Sequence, residues 1–300
     1  MVSPAEKILA LKKERKAVIL AHNYCIPEVQ DIADHVGDSL GLSVIASKAD
    51  TDVIIFCGVT FMAESAKLLN PDKKVLMPEP HATCPMASMC SAEQIMDARK
   101  CFKGARVVGY VNTTASAKAE MDICCTSSNA VAIVSSLKEK DIIFVPDMNL
   151  GTYVASKVSA KNVVLWNGYC PVHQAITAEN ISDLRSRYPK AVVMAHPECR
   201  KDVLDIADHV SSTEKMIEFA RTSDSKEFIM ATEVGMMHRL KKECPGKKFY
   251  FVDHAVCAVM KMTTLSSVLR ALEKMEAEVV LDKYTAERAK EPLRKMIEVK

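Results

Sequence analysis

Short apolar runs rich in β-branched residues, each ending on a polar side chain, punctuate the chain: VILAH at 18–22, RVVGY at 106–110 and VVMAH at 192–196. A run of this kind reads as a buried parallel strand that delivers a side chain at its carboxyl end. Later in each stretch, DVIIFCGVTFMAESAKLL, DIIFVPDMNLGTYVASKV and EFIMATEVGMMHRLKK pass from an apolar run through a turn to a helix-period pattern. Strands alternating with helices predict parallel sheets covered by helices. The expected fold is α/β: three pseudo-threefold-related, three-layer αβα units with parallel sheets, and an active site on their central axis.

The units repeat in detail. VILAHNYCIPEVQDIADHVGDS (18–39) is answered by VVMAHPECRKDVLDIADHVSST (192–213), and RVVGYVNTTASAKAEMDICCTSS (106–128) lies between them, with Tyr110 where the others have His22 and His196. Seventeen residues beyond those three come Ser39, Ser127 and Thr213, hydroxyls placed where helices begin, and Ser212 precedes the last. Repeats of about 87 residues suit small domains. They place boundaries near 103 and 189: a first unit over 1–103, a second over 104–188, and a third over 189–300 that includes a C-terminal helix. That last stretch, DKYTAERAKEPLRKMIEVK, reads as a solvated closing helix in which Pro292 permits a kink or break.

Each unit also leads to one cysteine at one position. Cys84 follows His22 by 62 residues, Cys170 follows Tyr110 by 60, and Cys257 follows His196 by 61. Ligand faces in parallel sheets lie at strand carboxyl ends, so three such faces on one axis would bring these thiols together. There they would hold three corners of an iron–sulfur cube. The fourth iron would lack a protein ligand and be open to substrate as a Lewis acid. Pro follows both Cys84 and Cys170, which predicts helix starts whose positive ends lower the thiol pKa. Cys25, Cys57, Cys90, Cys101, Cys124, Cys125, Cys199 and Cys244 show no matched spacing and read as ordinary thiols. Eleven cysteines, odd in number, scattered and without a CxxC pair, argue against a disulfide framework and a zinc-finger motif.

Composition narrows the function classes. Lys plus Arg number 40 against 38 Asp plus Glu, and no basic block marks a nucleic-acid footprint. The N-terminal apolar run is broken by Lys and Glu, and nowhere do eighteen apolar residues run uninterrupted. The expectation is a cytoplasmic protein with neither a signal peptide nor a membrane span.

The strand ends carry the remaining chemistry. His22 and Tyr24, Tyr110 and Asn112, and His196 and Glu198 are spaced by two, so each pair faces one way along extended backbone. His and Glu move protons near neutral pH, while Tyr and Asn orient oxygens or act as weaker acids. His173, three residues after Cys170, lies one helical turn from that thiol. Asp147 and Glu233 also stand at strand ends and read as turn caps. Ser39, Ser127 and Thr213 suit a carboxylate or phosphate at a helix N-terminus, or plain capping.

Taken together, AHNY, QDIADHVGDSLGLS, FCGVTFMAESAKLL, YVNTTASAKAEMDICCTSSNA, PDMNLGTYVA, LWNGYCPVH, AHPEC and ATEVGMMHRL make the chain resemble the quinolinate synthase family from residue 16 to about 270. The resemblance implies condensation of iminoaspartate with dihydroxyacetone phosphate to quinolinate, with loss of phosphate and two waters, in NAD biosynthesis. It implies a [4Fe-4S] cluster on Cys84, Cys170 and Cys257. It also implies a pocket formed by His22, Ser39, Tyr110, Asn112, Ser127, His196, Glu198 and Thr213, with Tyr24 and His173 at further active-site positions. An aspartate oxidase or dehydrogenase is implied as supplier of iminoaspartate. Some relatives carry CxxCxxC at the third ligand, whereas FVDHAVC leaves Cys257 alone here. From the residues themselves, three other readings stay open: another three-cysteine cluster enzyme such as a reductive dehydroxylase, an iron–sulfur electron carrier or sensor, and a zinc-stabilised structural protein.

Overall fold

The structure, a computed structural model, describes residues 3–299. Three four-stranded parallel sheets follow one plan. In the first, β1 (Ala17–His22) lies between β2 (His35–Gly37) and β3 (Val53–Cys57), with β4 (Lys74–Leu76) outside β3. The second places β5 (Arg106–Tyr110) between β6 (Ile123–Cys125) and β7 (Asp141–Val145), with β8 (Asn162–Leu165) outermost. The third repeats this with β9 (Val192–Ala195), β10 (His209–Val210), β11 (Glu227–Ala231) and β12 (Lys248–Phe251). Ile19, Leu20, Ala21, Val107, Val108, Val193, Met194 and Ala195 on the inner strands are fully buried, as expected of parallel strands covered on both faces. The α/β fold in three αβα units expected from the repeat is the fold observed.

One aspartate per unit fixes the short edge strand. Oδ2 of Asp34, Asp122 and Asp208 accepts the N–H of Ile19, Val107 and Val193, at 2.8 Å in each case. Each aspartate's own N–H donates back to the carbonyl of that same residue. This two-point clamp sets the register from which the edge strand starts.

Two cysteines set aside as unmatched do match. Cys25 and Cys199 each stand three residues beyond the strand-end histidine. Their thiols donate to equivalent carbonyls, Cys57 O at 3.3 Å and Ala231 O at 3.2 Å. Both are buried, so their shared role is to tie the turn after the inner strand to its neighbour.

The C-terminal stretch also departs from expectation. The helix Lys283–Glu298 runs on through Pro292 rather than breaking, and it buries Ala289, Pro292, Leu293 and Met296. That face packs against the helices Thr60–Leu69 and Ala115–Lys118 and against β6. Burying Leu293 and Met296 contributes roughly 1.5–3 kcal/mol each. Before it, the helix Leu265–Lys274 packs on Pro4–Glu14. Among the described residues no helix is long and apolar enough to cross a membrane.

Candidate active site

The carboxyl ends of β1, β5 and β9 converge on a cavity of about 70 Å³. His22, Tyr24, Ser39, Tyr110, Asn112, Ser127, His173, His196, Glu198 and Thr213 all line it, together with Cys84, Cys170 and Cys257. Ser212 does not; it is buried behind the wall, at the N-cap of the helix Thr213–Thr222. Asp38, Thr126 and Glu233 line the cavity as well, and Val59, Phe61 and Met62 give it an apolar side.

Two of the three pairs spaced by two turn out to be tautomer locks. Nδ1 of His22 accepts the N–H of Tyr24 at 3.2 Å, and Nδ1 of His196 accepts that of Glu198 at 3.3 Å. A ring nitrogen that accepts leaves the other to carry the proton. His196 therefore donates from Nε2 to Ser127 Oγ, at 3.2 Å. Burial drives both imidazoles down to about 3, outweighing the charge of Glu198, so both are neutral around pH 7.

Glu198 is the electrostatic centre. Burial alone would push its carboxyl up, but His173, His196 and hydrogen bonds from His173 and Tyr110 outweigh burial and hold it below the usual carboxylate range. His173 Nδ1 lies 2.7 Å from Glu198 Oε2. Tyr24 and Tyr110 are pushed above the normal phenol value by burial and then by the Glu198 charge. One ionised carboxylate thus sits among groups that keep their protons. Asn112 Oδ1 is buried with no partner, and an orphaned acceptor on a cavity wall is what an absent ligand leaves behind.

None of the three predicted hydroxyls is a helix cap. Ser39 is the first helical residue, and the cap is Asp38, whose Oδ1 accepts from Gly41 N at 2.8 Å. Thr213 is likewise the first residue of its helix, and Ser127 lies ahead of the N-cap Asn129. Thr213 Oγ1 instead accepts from Asn23 Nδ2 at 3.1 Å, and Ser127 faces His196. Only the first of these helices has a side-chain cap, from Asp38, while the N-caps Asn129 and Ser212 make none; the three hydroxyls face the cavity instead.

The three cysteines lie directly ahead of short helical turns: Cys170 and Cys257 at N-cap positions, Cys84 one residue before Pro85. The expected lowering of thiol pKa is not what these turns produce. Burial pushes Cys84 up to about 12 and raises Cys170 and Cys257 as well, and turns of four or five residues are too short to offset it. Asp147 and Glu233, read from the sequence as turn caps, do more than cap. Asp147 accepts the N–H of Leu150 at 2.7 Å and that of Cys170 at 3.1 Å. Glu233 accepts the N–H of Cys257 at 2.9 Å and pairs with Lys261 at 2.8 Å. Both carboxylates are fully buried, and each positions one thiol-bearing turn. Lys261 also donates to the carbonyl of Tyr24 at 2.6 Å. Gly235 permits this crowding, since a Cβ there would stand 2.8 Å from Tyr24 Cα.

As a donor set, three thiols at one structural position in three units suit a soft, multi-iron group. Cys170, His173 and Glu198 also bring donor atoms within 4.8 Å of one another. There, however, His173 Nδ1 is engaged between Glu198 Oε2 at 2.7 Å and Cys170 Sγ at 3.3 Å. This trio is a hydrogen-bonded group rather than a vacant single-ion site.

A pseudo-threefold α/β enzyme, with acid–base groups and soft thiol donors facing one central cavity, is the class that fold and site define. Residues 6–298 match the family model described as quinolinate synthetase A protein, and the chain belongs to that family. It is 50% identical over 293 residues to the quinolinate synthase of Methanoregula boonei, covering 97% of each chain. To that of Methanosarcina barkeri it is 51% identical over 296 residues, covering 98% of this chain and 97% of the relative. The quinolinate synthase of Dehalococcoides mccartyi strain CBDB1 is 50% identical over 296 residues, 98% of each chain.

Proposed function

We propose that this protein condenses iminoaspartate with dihydroxyacetone phosphate to form quinolinate, phosphate and two waters, the step that supplies the pyridine ring for NAD. Family membership over residues 6–298 is the observation that carries this reading, and the chemistry of the cavity agrees with it. Cys84, Cys170 and Cys257 are the residues to hold a [4Fe-4S] cluster, steadied by Asp147 and Glu233 behind two of them. Bound there, the cluster supplies an iron without a protein ligand, a Lewis acid for substrate oxygens.

The chain's own side chains do the rest. Ser127, Thr213 and Ser39, with the N–H groups of two helix starts, bind the carboxylate and phosphate groups. His22 and His196, locked as neutral donors, orient substrate oxygens without adding charge. Glu198, held ionised, is the base that takes protons from substrate carbon or nitrogen. Tyr24 and Tyr110, held protonated, donate to the leaving oxygens. Asn112 Oδ1 accepts from a substrate hydroxyl or imine N–H. Burial of these groups keeps bulk water from the hydrolysable imine. An enzyme that oxidises aspartate must supply that imine.

The test is anaerobic turnover at full iron content, with iminoaspartate generated in place and quinolinate measured directly. Product from both substrates together, and from neither alone, is expected. Absence of product from fully iron-loaded protein would overturn the reading.

A further inference from the structure

We infer that Asn23, a buried amide that does not line the cavity, is a positioning residue: it makes the Thr213 hydroxyl a hydrogen-bond donor to the ligand's anionic group, and Arg239 holds the amide in the orientation this requires. The inference rests on the function proposed above. Asn23 directly follows the end of β1, where the other two units have Val111 and Pro197, neither with a polar side chain. It is fully buried. Its side chain crosses into the third repeat, where Nδ2 lies 3.1 Å from Thr213 Oγ1 and 3.1 Å from Glu214 Oε1, and Oδ1 lies 2.9 Å from Arg239 Nη1. Glu214 in turn pairs with Arg239 and accepts the N–H of Asp38, one residue ahead of Ser39, at 3.1 Å.

Donor and acceptor chemistry allows this amide one orientation. A guanidinium only donates and an ion-paired carboxylate only accepts, so the edge facing Arg239 is the oxygen and the edge facing Glu214 is the nitrogen. Turned over, the amide would set its oxygen against the carboxylate and its NH₂ against the guanidinium. The backbone is fixed as well: Asn23 N donates to Gly37 O, and Asn23 O accepts from Gln30 Nε2, each at 3.0 Å. One amide hydrogen therefore goes to Glu214 and the other to Thr213 Oγ1. Among the described residues that hydroxyl makes no other hydrogen bond, so its own hydrogen is left for the cavity it lines. A reversed amide would take that hydrogen and leave only lone pairs facing an anion. Ser127 reaches the same polarity by another route, since it accepts from the tautomer-locked His196. Two wall hydroxyls are thus compelled to donate, and the direction of one is set by residues outside the cavity.

The experiment is a double-mutant cycle between Asn23→Ala and Thr213→Ala. Iron-loaded protein is titrated with quinolinate, a dicarboxylate, in the absence of oxygen, and KM, kcat, iron content and thermal midpoint are measured alongside. Asn23→Ala should weaken quinolinate binding roughly 5- to 10-fold, the scale of losing part of a hydrogen bond to a charged group. KM should rise in step, with kcat and iron content nearly unchanged. In the Thr213→Ala background the same substitution should change quinolinate affinity by less than about twofold, because the hydroxyl it acts through is gone. Arg239→Met removes the guanidinium at a half-buried site and releases the amide. It should weaken binding by about threefold, again only while Thr213 is present, and it carries the test alone if Asn23→Ala fails to fold. Wild-type affinity in either single variant, or losses that persist in the Thr213→Ala background, would overturn the positioning role while leaving the proposed function intact. Failure of iron-loaded wild-type protein to bind and form quinolinate would instead overturn the function, and this inference with it.

Discussion

His173 and Glu198 face each other at 2.7 Å, both almost wholly buried, with the imidazole on a turn of the second repeat and the carboxylate at a strand end of the third. Alone in such a site the carboxyl would be protonated and inert as a base. The facing imidazole of His173, then His196, and hydrogen bonds from His173 and Tyr110 outweigh that burial and keep it ionised. The ionised carboxylate is thus made by contact between repeats and belongs to neither one alone.

Replacing Glu198 by Gln keeps the size and removes proton exchange. Quinolinate formation should slow by roughly 100-fold or more, with the cluster spectrum and product binding preserved. Near-wild-type turnover at equal iron content would shift the acid–base role to Tyr24, Tyr110 and His196.

Cys84→Ser, Cys170→Ser and Cys257→Ser should each abolish turnover and cripple cluster assembly, because a hard hydroxyl replaces a soft thiolate. Cys101→Ser, at an exposed position, and Cys244→Ser, in the third unit's core, should retain the cluster. Iron and sulfide counts on protein purified without oxygen settle the matter. A control that loses its iron while one of the three keeps four would discredit the ligand choice.

Ser127→Ala and Thr213→Ala should raise KM and cost the metal-free protein only the one hydrogen bond each hydroxyl makes, to His196 or Asn23, about 1 kcal/mol, since neither hydroxyl caps a helix. A hydrogen bond to a charged group is worth about 1.5–3 kcal/mol, which corresponds to roughly 10- to 100-fold in substrate requirement. Melting curves beside a carboxylate titration distinguish the outcomes: lower stability with unchanged binding would return both residues to a structural role.

Stability should fall on acidification in a window set by the histidines. His22 and His196 stay neutral in the folded protein down to about 3, whereas an unfolded histidine takes up its proton near pH 6.5. Between those values the unfolded chain binds more protons, so stability is full above about pH 6.5 and is lost as pH falls toward 3. In metal-free His196→Gln, the slope of unfolding free energy against pH should be shallower than wild type by up to about 1.4 kcal/mol per unit between roughly pH 4 and 6. Parallel slopes would mean that His196 is charged in the fold.

The repeat made most of this architecture legible. Three copies of one spacing picked out the strand ends and the cysteines at 84, 170 and 257, because each copy solves the same geometric problem. The same logic would have found the aspartate clamp, since Asp34, Asp122 and Asp208 each stand twelve residues beyond the aligned strand end. Cys25 and Cys199 carried a matching signal too, in two copies only. Thr232, whose hydroxyl meets Tyr24 and His173 in the fold, had none: its counterparts are Gly58 and Pro146, and these partners lie 208 and 59 residues away. Asp147 and Glu233 were visible as strand-end acids, but their hold on the next turn's cysteine is long-range and required the fold. For Ser39, Ser127 and Thr213 the sequence left ligand binding and capping both open, because capping and cavity-facing positions differ by only one or two residues, within the usual error of a helix boundary.

A cage made three times from one pattern would offer the same wall in every direction, and a reactant turned by a third of a circle would fit equally well. Here the copies disagree where it matters. The aligned strand ends present His22, Tyr110 and His196, and two residues beyond β3, β7 and β11 stand Val59, Asp147 and Glu233. Val59, Phe61 and Met62 make the cavity wall oily in the first copy, where the third copy presents the buried Glu233. A reactant with charge at its ends and a bare carbon edge therefore finds one resting pose out of three. The duplicated scaffold supplies the room, and its mismatches tell the reactant which way to lie.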